Sequence, residues 1–384
     1  MLVSRFPYPL DKGDKLRAFH QLKELSKHFD VTLFALANSE IPSEHRAIVQ
    51  EYCTEIHIHQ QNIVQKGWNI LRSALNGNPF QVGYFYSSKA QKKMKALLKE
   101  KQFNHIYCQL VRMSEYVKNE HAIPKTLDYM DALSAGIQRR VSQQAFYKKW
   151  LFKSEAKRLK RYESLMFDFF ENRTIISKQD QQLIMHPRSK QIICIPNGID
   201  ARFFEPIYQE KTHDFVFVGN MSYAPNVEAI AYIVDKILPN YPNKTLLISG
   251  SSPSKRVQKI ADLNIQINLT GWVDDIRNSY ASGEIFLAPM MIGTGMQNKL
   301  LEAMAIGVPC ITTHLANNPI GTKPGEEILV ANSPSEFCSA IDTLFQNQEK
   351  YAQMQTNARA FVERNHQWEK TTLQLFELIN ATDP

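Results

Sequence analysis

Cysteine is scarce in this sequence. There are five cysteines in 384 residues, and no two form a Cys-x-x-Cys pair, so neither a disulfide framework nor a zinc knuckle is indicated. Long apolar runs are also missing, since no stretch approaches the ~18 apolar residues that span a bilayer. Residues Met1–Pro7 lack the basic start and apolar core of a signal peptide. These absences argue against a secreted or membrane-spanning protein and predict a cytoplasmic location.

Acidic residues are too few in the N-terminal half to balance the basic ones. Residues 1–199 contain 31 Lys and Arg against 18 Asp and Glu, whereas residues 200–384 contain 14 against 20. This asymmetry indicates two domains with different partners, and the length suits two domains. The positive half favours an anionic partner, such as a membrane surface or a phosphorylated lipid or sugar. Nucleic acid is not predicted as a partner, because no recognised nucleic-acid-binding module accompanies the charge.

Strand and helix patterns alternate from the N-terminus onward. Leu2–Phe6 and Asp30–Leu36 are predicted strands, and Asp14–His28 between them carries a helical apolar face. The same alternation resumes after the turn Pro196–Asp200, where the charge changes sign. The sequence therefore predicts an α/β protein with two Rossmann-like, doubly wound domains that face each other across a central cleft.

The domain boundary is predicted at that turn. The N-terminal domain is expected at residues 1–196 and the C-terminal domain at residues 197–365. A last helix near residues 366–384 is expected to pack back on the N-terminal domain.

A glycine-rich turn in the second half is the most informative segment. Gly293 and Gly295 follow a predicted buried strand and precede a helix predicted over Lys299–Ile306. Backbone N–H groups in such a turn can approach an anion, and the helix N-terminus adds partial positive charge. Lys299 and Glu302 lie one turn apart, so the lysine could hold a diphosphate while the glutamate accepts from ribose hydroxyls. A solvated helix with an intrahelical Lys–Glu pair is the alternative, and glycine turn and helix alone favour it.

The segment Leu301–Pro309, Leu-Glu-Ala-Met-Ala-Ile-Gly-Val-Pro, resembles the donor-site signature of the GT4 family of retaining glycosyltransferases. Four other segments are similar in order and spacing to a subgroup associated with bacterial exopolysaccharide synthesis: Arg5–Arg17, Leu127–Ser134, Asn197–Asp200 and Phe217–Asn226. The resemblance spans nearly the whole chain. It implies a GT-B fold, a nucleotide-sugar donor on the C-terminal domain, and a glycan or lipid-linked acceptor on the basic N-terminal domain.

The resemblance also implies the chemistry. It implies transfer with retention in surface polysaccharide or glycoconjugate synthesis, without a cofactor or bound metal, because basic side chains and helix dipoles stabilise the leaving diphosphate. Lys299, Asp128 and Asp131 are the predicted catalytic residues, the two aspartates standing where the family often has a sugar-facing histidine. The donor-binding residues that it implies are Gly13, Asp14, Lys15, Gly219, Asn220, Val273, Gly293, Thr294, Gly295, Met296, Gln297, Asn298, Lys299 and Glu302.

Three departures from the family pattern leave alternatives open. Thr294 stands where many members have a glutamate that contacts the donor sugar, and Asn220 follows Gly219 where an arginine and a lysine are common. No histidine lies near Asp128–Asp131. These departures keep a catalytically silent GT-B partner module as an alternative. A nucleotide-sugar epimerase is a further alternative, which the basic, acceptor-oriented half disfavours.

Two acidic features have simpler interpretations. Without the resemblance, Asp14 would be an ordinary cap of the first helix. Asp274 and Asp275 look like a metal site, but capping of the following helix is the favoured interpretation.

A long basic helix is predicted over Ile137–Phe167. A solvated helix that packs one stripe on its domain is the default interpretation. The functional alternative is adhesion of Arg139–Arg161 to anionic lipid headgroups, with Trp150 and Phe152 beside lysines at the interface.

Overall fold

The computed structural model describes residues 1–141, 145–292 and 295–382. Their contacts divide the chain into two compact units. The N-terminal unit comprises Met1–Pro196 together with the segment that begins at Trp368, and the C-terminal unit comprises Asn197–Gln367. Each unit is a parallel sheet with helices between successive strands. The predicted class, two Rossmann-like α/β domains, is confirmed.

The N-terminal unit contains a seven-stranded sheet in the order β3-β2-β1-β4-β5-β6-β7. Every pairing in it is parallel. The strands are β1 (Leu2–Val3), β2 (Thr32–Ala37), β3 (Glu55–Gln60), β4 (Ile106–Gln109), β5 (Lys125–Asp128), β6 (Asn172–Ile175) and β7 (Ile193–Cys194).

Two apolar clusters cover the two faces of this sheet. The helices between its strands are α1 (Gly13–Leu25), α2 (Ser43–Gln50), α3 (Ile63–Asn76), α4 (Phe80–Phe85), α5 (Ser88–Glu100), α6 (Leu133–Arg140), α7 (Phe146–Met166) and α8 (Lys178–Leu183). Two helices, α6 and α7, thus stand where one basic helix was predicted, and residues 142–144 between them lie outside the described residues.

The C-terminal unit contains a six-stranded parallel sheet in the order β10-β9-β8-β11-β12-β13. Its strands are β8 (His213–Val218), β9 (Leu246–Ser249), β10 (Ile267–Gly271), β11 (Gly283–Ala288), β12 (Cys310–Thr312) and β13 (Leu329–Val330). Its helices are α9 (Ala224–Tyr232), α10 (Lys255–Asp262), α11 (Ile276–Ala281), α12 (Asn298–Ile306), α13 (His314–Asn317), α14 (Pro334–Gln346) and α15 (Gln348–Asn365).

The middle strands of this sheet are apolar on both faces, as a parallel sheet covered by helices requires. Phe215, Val216 and Phe217 on β8 have no solvent exposure, and the same holds for Ile285 and Phe286 on β11. One continuous apolar core results.

The last helix, α16 (Trp368–Asn380), belongs to the N-terminal unit. The Trp368 ring stacks on the His20 imidazole of α1, with ring centroids 4.9 Å apart and 5° between the planes. Leu375 and Ile379 enter the apolar cluster under α1. None of the described helices combines the length and the apolarity needed to cross a bilayer.

Strand order places a topological switch point in each sheet. Successive strands step away from β1 in one direction through β2 and in the other through β4, and β8 is flanked in the same way by β9 and β11. Ligands of doubly wound sheets bind beyond the carboxyl ends of the strands at such points. The loops that follow β1 and β4, and those that follow β8 and β11, are therefore where sites are expected.

Candidate functional site

In the C-terminal unit, the switch point brings together the loop after β8 and the start of α12. Gly219 follows β8 directly, and α12 begins at Asn298 after the loop from β11. The residue before α12, Gln297, makes no side-chain cap to the helix. The first turn of α12 thus presents N–H groups and partial positive charge that Gln297 does not cap, which suits an anion.

Lys299 is the only one of the predicted catalytic residues in this unit, and its half-buried ammonium lies against the loop after β8. It donates to the Asn226 side-chain oxygen and lies 4.7 Å from the centre of the Phe217 ring. Burial lowers the pKa of Lys299 from its ordinary value of 10.5 to about 7, an effect that the nearby Glu302 opposes. A cation held partly out of water is a strong attractor for a phosphate that replaces its hydration.

Gly219 leaves the space that this arrangement needs. A Cβ atom at position 219 would lie 2.6 Å from the Asn226 amide nitrogen and 3.2 Å from the Lys299 ammonium. The same amide nitrogen donates to the Asn220 carbonyl at 2.8 Å. Any side chain at position 219 would therefore displace the asparagine or the lysine.

Glu302 lies one turn further along α12. Its carboxylate accepts from the Tyr280 hydroxyl at 2.7 Å, and burial raises its pKa against the opposing effects of Tyr280 and Lys299. Lys299 and Glu302 are thus held by different partners, and both are half-buried. The simpler interpretation, a solvated intrahelical pair, is wrong because the helix turns this face toward the strands.

The remaining predicted donor residues of this unit have varied surroundings. The Asn220 side chain accepts from Ser222, from its N–H at 2.9 Å and its hydroxyl at 2.7 Å. Val273 is half-buried in the loop after β10, and Met296 packs against the core.

The turn before α12 is described only in part. Gly295 has a φ of 75°, the Gln297 amide donates to the Gly295 carbonyl at 3.4 Å, and Asn298 accepts from Asn197 at 3.1 Å. Gly293 and Thr294 lie outside the described residues.

The aspartate pair before α11 is a capping feature, as predicted. The Asp275 carboxylate accepts from the Arg277 backbone N–H at 3.0 Å and also binds the Arg277 guanidinium. Within residues 1–141, 145–292 and 295–382, no group of three or more His, Cys, Asp or Glu side chains is arranged to hold a metal.

In the N-terminal unit, the switch point gathers charged side chains around Asp14. The Asp14 carboxylate binds Arg5, which follows β1, and accepts from Arg112 after β4 at 2.9 Å. Arg112 also donates to the Ser4 hydroxyl at 2.9 Å and lies 4.2 Å from the centre of the Phe85 ring. Asp14 is therefore held by arginines from two loops.

The capping interpretation of Asp14 is wrong. The residue that precedes α1 is Lys12, whose side chain does not cap the helix, and the Asp14 carboxylate binds Arg5 and Arg112 instead. Gly13 opens α1 and is exposed, and the Lys15 ammonium pairs with Asp11 at 2.8 Å.

Asp131 follows β5 and is half-buried at the same edge of the sheet. Burial raises its pKa to about 7, with Asp180 acting in the same direction and Arg112 against it. The preceding residue, Met130, has a φ of 62°, a left-handed value that non-glycine residues rarely adopt. Such strained positions are concentrated at functional sites.

Asp128 was predicted to face the donor sugar, but it lies in the interior of the N-terminal unit. Its side chain is fully buried, and it accepts from Arg17 at 2.6 Å, from the Tyr107 hydroxyl at 2.8 Å and from the Thr174 hydroxyl at 3.1 Å. The Met130 N–H adds a fourth bond at 3.1 Å. This burial argues against contact with a substrate. The geometry assigns Asp128 a positioning role, because its hydrogen bonds hold α1 against strands β4, β5 and β6.

Four residues at these switch points escaped the sequence predictions. Arg5 and Arg112 bind Asp14, Asn226 binds Lys299, and Tyr280 binds Glu302. Arg5 and Arg112 each come just after a strand beside the switch point, a signal that requires the strand order. Asn226 ends the family-like segment Phe217–Asn226, but nothing in the local sequence indicates the partner of Asn226 or of Tyr280, because each acts on a residue more than twenty positions away.

Residues 212–347 match the family of glycosyl transferases group 1. Over 97% of this chain and 97% of its own length, an uncharacterised 44.6 kDa protein from the cps region of Klebsiella pneumoniae is 24% identical. The UDP-Gal:alpha-D-GlcNAc-diphosphoundecaprenol alpha-1,3-galactosyltransferase of Escherichia coli is 30% identical over 33% of this chain and 38% of its own length.

Solved structures share the fold of this chain. Sucrose-phosphate synthase from Thermosynechococcus elongatus superposes with a TM-score of 0.74 over 99% of this chain and 98% of its own, at 16% identity. That likeness extends across both units and shows the GT-B fold. Fold, relatives and family match together identify the chain as a GT-B glycosyltransferase whose C-terminal unit carries a group 1 glycosyl transferase domain.

Proposed function

We propose that this glycosyltransferase moves a sugar from a uridine-diphosphate donor to a lipid-linked glycan in bacterial surface polysaccharide synthesis, with retention at the anomeric carbon. The donor and acceptor classes follow those in the name of the Escherichia coli relative, and retention follows the GT4-like motif Leu301–Pro309. The observation that carries the proposal is the half-buried Lys299 ammonium in the first turn of α12, a helix end that the side chain of Gln297 does not cap.

Lys299 would act on the leaving group. In transfer, the bond between the anomeric carbon and the diphosphate breaks, and its electron pair stays on the phosphate oxygen. The acceptor hydroxyl oxygen forms the new bond to the anomeric carbon, and its proton passes to the departing phosphate oxygen. A fixed cation and helix N–H groups stabilise the charge that develops on the diphosphate, which lowers the barrier only if they bind it more strongly in the transition state.

The other donor contacts are assigned by chemistry. Glu302 would accept from ribose hydroxyls, because its carboxylate needs only one of its lone pairs for Tyr280. Val273 in the loop after β10 would lie against the base. In the N-terminal unit, Arg5, Arg112 and Asp131 would bind the acceptor, whose diphosphate suits guanidinium groups.

Incubation with a panel of nucleotide sugars, with and without diphosphate-linked lipid acceptors, tests the proposal. We expect transfer from one uridine-diphosphate sugar, with the anomeric configuration of the donor preserved in the product by NMR. An epimerised donor would favour the epimerase alternative instead. An absence of turnover over the whole panel, with nucleotide binding retained, would favour a silent partner module.

We further propose that transfer requires no divalent metal, because Lys299 and α12 supply the charge that a metal would supply. Activity should survive dialysis against EDTA, measured in the assay above with the donor that is transferred. Loss of activity that magnesium or manganese restores would contradict this proposal.

Affinity for the nucleotide sugar should fall as pH rises above about 7. The ammonium of Lys299 is protonated below its pKa of about 7, and a bound diphosphate favours that charged form, so binding takes up a proton at higher pH. The dissociation constant should rise by up to about tenfold per pH unit until the pKa of the complex is reached. Calorimetry in buffers of different ionisation enthalpy measures the proton uptake directly.

The conservative variant Lys299→Arg is the control, since a guanidinium stays charged throughout this range. Between pH 7 and 9 the affinity of this variant for the nucleotide sugar should stay constant, whereas that of the wild type should fall. An equal slope in both proteins would assign the dependence to another group.

We also propose that the protein binds the anionic surface of a membrane peripherally, through the basic segment Arg139–Arg161. The exposed lysines of α7, including Lys148, Lys153 and Lys157, would each contribute on the order of 1 kcal/mol of attraction to anionic headgroups. A cytoplasmic enzyme held there would meet a lipid-linked acceptor at its own surface.

A further inference from the structure

Helix α3 has its apolar face turned outward. Its fully inward positions are polar: Lys66, Asn69 and Ser73 are 6%, 8% and 6% exposed. Its outward positions follow one another at helical spacing along a single stripe. We call the following residues the α3 stripe, with their exposed fractions: Ile63 (82%), Val64 (80%), Trp68 (68%), Leu71 (53%) and Leu75 (81%).

The inward polar side is bonded, so this orientation is specified by the fold. The Lys66 ammonium donates to the Asn38 side chain and lies 4.4 Å from the centre of the Tyr84 ring. The Asn69 amide donates to the Tyr86 carbonyl at 2.7 Å. Rotation of the helix to bury its apolar stripe would leave these buried polar groups without partners, at a cost in stability.

Close packing against α4 adds a second constraint. A Cβ atom on Gly83 would lie 2.0 Å from the Ser73 hydroxyl oxygen. Only glycine at position 83 and a small residue at position 73 allow the two helices to approach this closely. The helix is therefore seated by its polar side, and the apolar stripe is left facing outward.

Basic helix α7 lies beside α3. Arg158 of α7 donates to the carbonyl of Ser73 at 3.1 Å and to that of Asn78 at 3.2 Å. The first turns of α7 are exposed, and Phe146 and Trp150 among them are 85% and 67% exposed. The C-terminal end of α3 thus lies next to α7, whose exposed side chains include aromatic residues and lysines.

The charge of this surface distinguishes between possible occupants. Helix α3 contains no acidic residue, and the two acidic residues of α7, Glu155 and Glu163, are buried. A second copy of the chain would therefore bring like charges together at this surface. An anionic bilayer offers both an apolar layer for the stripe and negative headgroups for the lysines.

We infer that the α3 stripe inserts into the interfacial layer of an anionic membrane, while α7 contacts the headgroups. Apolar insertion contributes to binding separately from the charge attraction proposed for α7. The inference rests on that proposal only for the sign of the membrane's surface charge. Insertion persists at high salt, whereas headgroup attraction is screened as the Debye length falls to ~3 Å at 1 M.

Cosedimentation with vesicles of phosphatidylcholine and phosphatidylglycerol in equal parts tests the inference. The full-length variant Ile63→Ser/Leu75→Ser should lose at least about tenfold in partition coefficient at high salt, because each exposed aliphatic side chain stabilises the inserted state by burial. The variant Leu263→Ser/Ile265→Ser is the matched control. It removes the same two residue types at positions 72% and 103% exposed in the C-terminal unit, and it should bind like the wild type.

Tryptophan fluorescence gives an independent measurement. With Trp150 and Trp272 replaced by phenylalanine, lipids brominated on their acyl chains should quench Trp68, whereas the buried Trp368 contributes an unquenched background. Equal partitioning of the two double variants at high salt, or no quenching of Trp68, would overturn the inference. So would a stripe-dependent dimer in sedimentation without vesicle binding.

The two sources of binding fail in different ways. Replacement of Lys148, Lys149, Lys153 and Lys157 by glutamine should weaken vesicle binding at low salt. It should leave unchanged the vesicle binding that persists at high salt. If that variant binds normally at low salt while the stripe variant does not, the electrostatic proposal fails and apolar insertion stands.

Discussion

Lys299→Ala should lose sugar transfer by about two to three orders of magnitude while the protein stays folded. Removal of one group that stabilises developing negative charge typically costs about 2.7–4 kcal/mol of transition-state stabilisation. Stability should not fall with it, because the ammonium is held partly out of water and burial already disfavours its charged form. Steady-state kinetics with the transferred donor, and thermal unfolding of the same sample, measure the two effects.

Lys259→Ala is the matched control, since Lys259 is an exposed lysine on α10 of the same unit. It should keep wild-type kinetics. Near-normal turnover and nucleotide affinity in Lys299→Ala would contradict a catalytic role. They would indicate that Lys299 serves only to hold Asn226 in place. A lower kcat with unchanged nucleotide affinity would place its effect in the transition state alone.

The second large effect concerns stability. Arg17→Met should destabilise the N-terminal unit by about 3–5 kcal/mol, because it leaves the Asp128 carboxylate buried without its cationic partner. Neither side chain has measurable solvent exposure, and the guanidinium nitrogen lies 2.6 Å from the carboxylate oxygen. Urea unfolding followed by circular dichroism gives the free energy of unfolding of each variant.

Lys27→Met is the control, because Lys27 lies in the turn just after α1 and forms an exposed pair with Glu24 near the end of that helix. Its effect should stay within about 1 kcal/mol, as is usual for surface pairs. The double variant Arg17→Met/Asp128→Leu should recover part of the loss, since it removes the unpaired charge. Equal stability of Arg17→Met and Lys27→Met would contradict the positioning role of Asp128.

The class of fold could be predicted from local patterns. Strands such as β8 and β11 contain the apolar runs Phe215–Val218 and Ile285–Ala288, and turns of glycine, proline and asparagine separate such strands from amphipathic helices. These signals depend on neighbours only a few residues away, so each was visible in the chain itself. The segment predicted as one basic helix was different, because residues 142–144 (Ser-Gln-Gln) contain no glycine or proline, so the local sequence does not mark the end of α6.

The outward orientation of α3 could not be predicted in this way. Periodicity identifies an apolar stripe but not the side of the helix that faces the protein, and the usual expectation is that the stripe is buried. Here Lys66, Asn69 and Ser73 are fixed by partners on other segments, and those contacts decide the orientation.

The sequence by itself determined the α/β class, the alternating order of strands and helices, and the group of residues around Lys299 and Glu302 that follows a glycine turn. Only the tertiary structure decided which of the predicted residues are buried and which lie at the edge of a sheet. Asp128 and Asp131 are three residues apart, yet one is sealed by Arg17 and Tyr107 and the other lies half-buried at the sheet edge. Burial and charge partners depend on segments a hundred residues away, and they set which carboxylate is free to act.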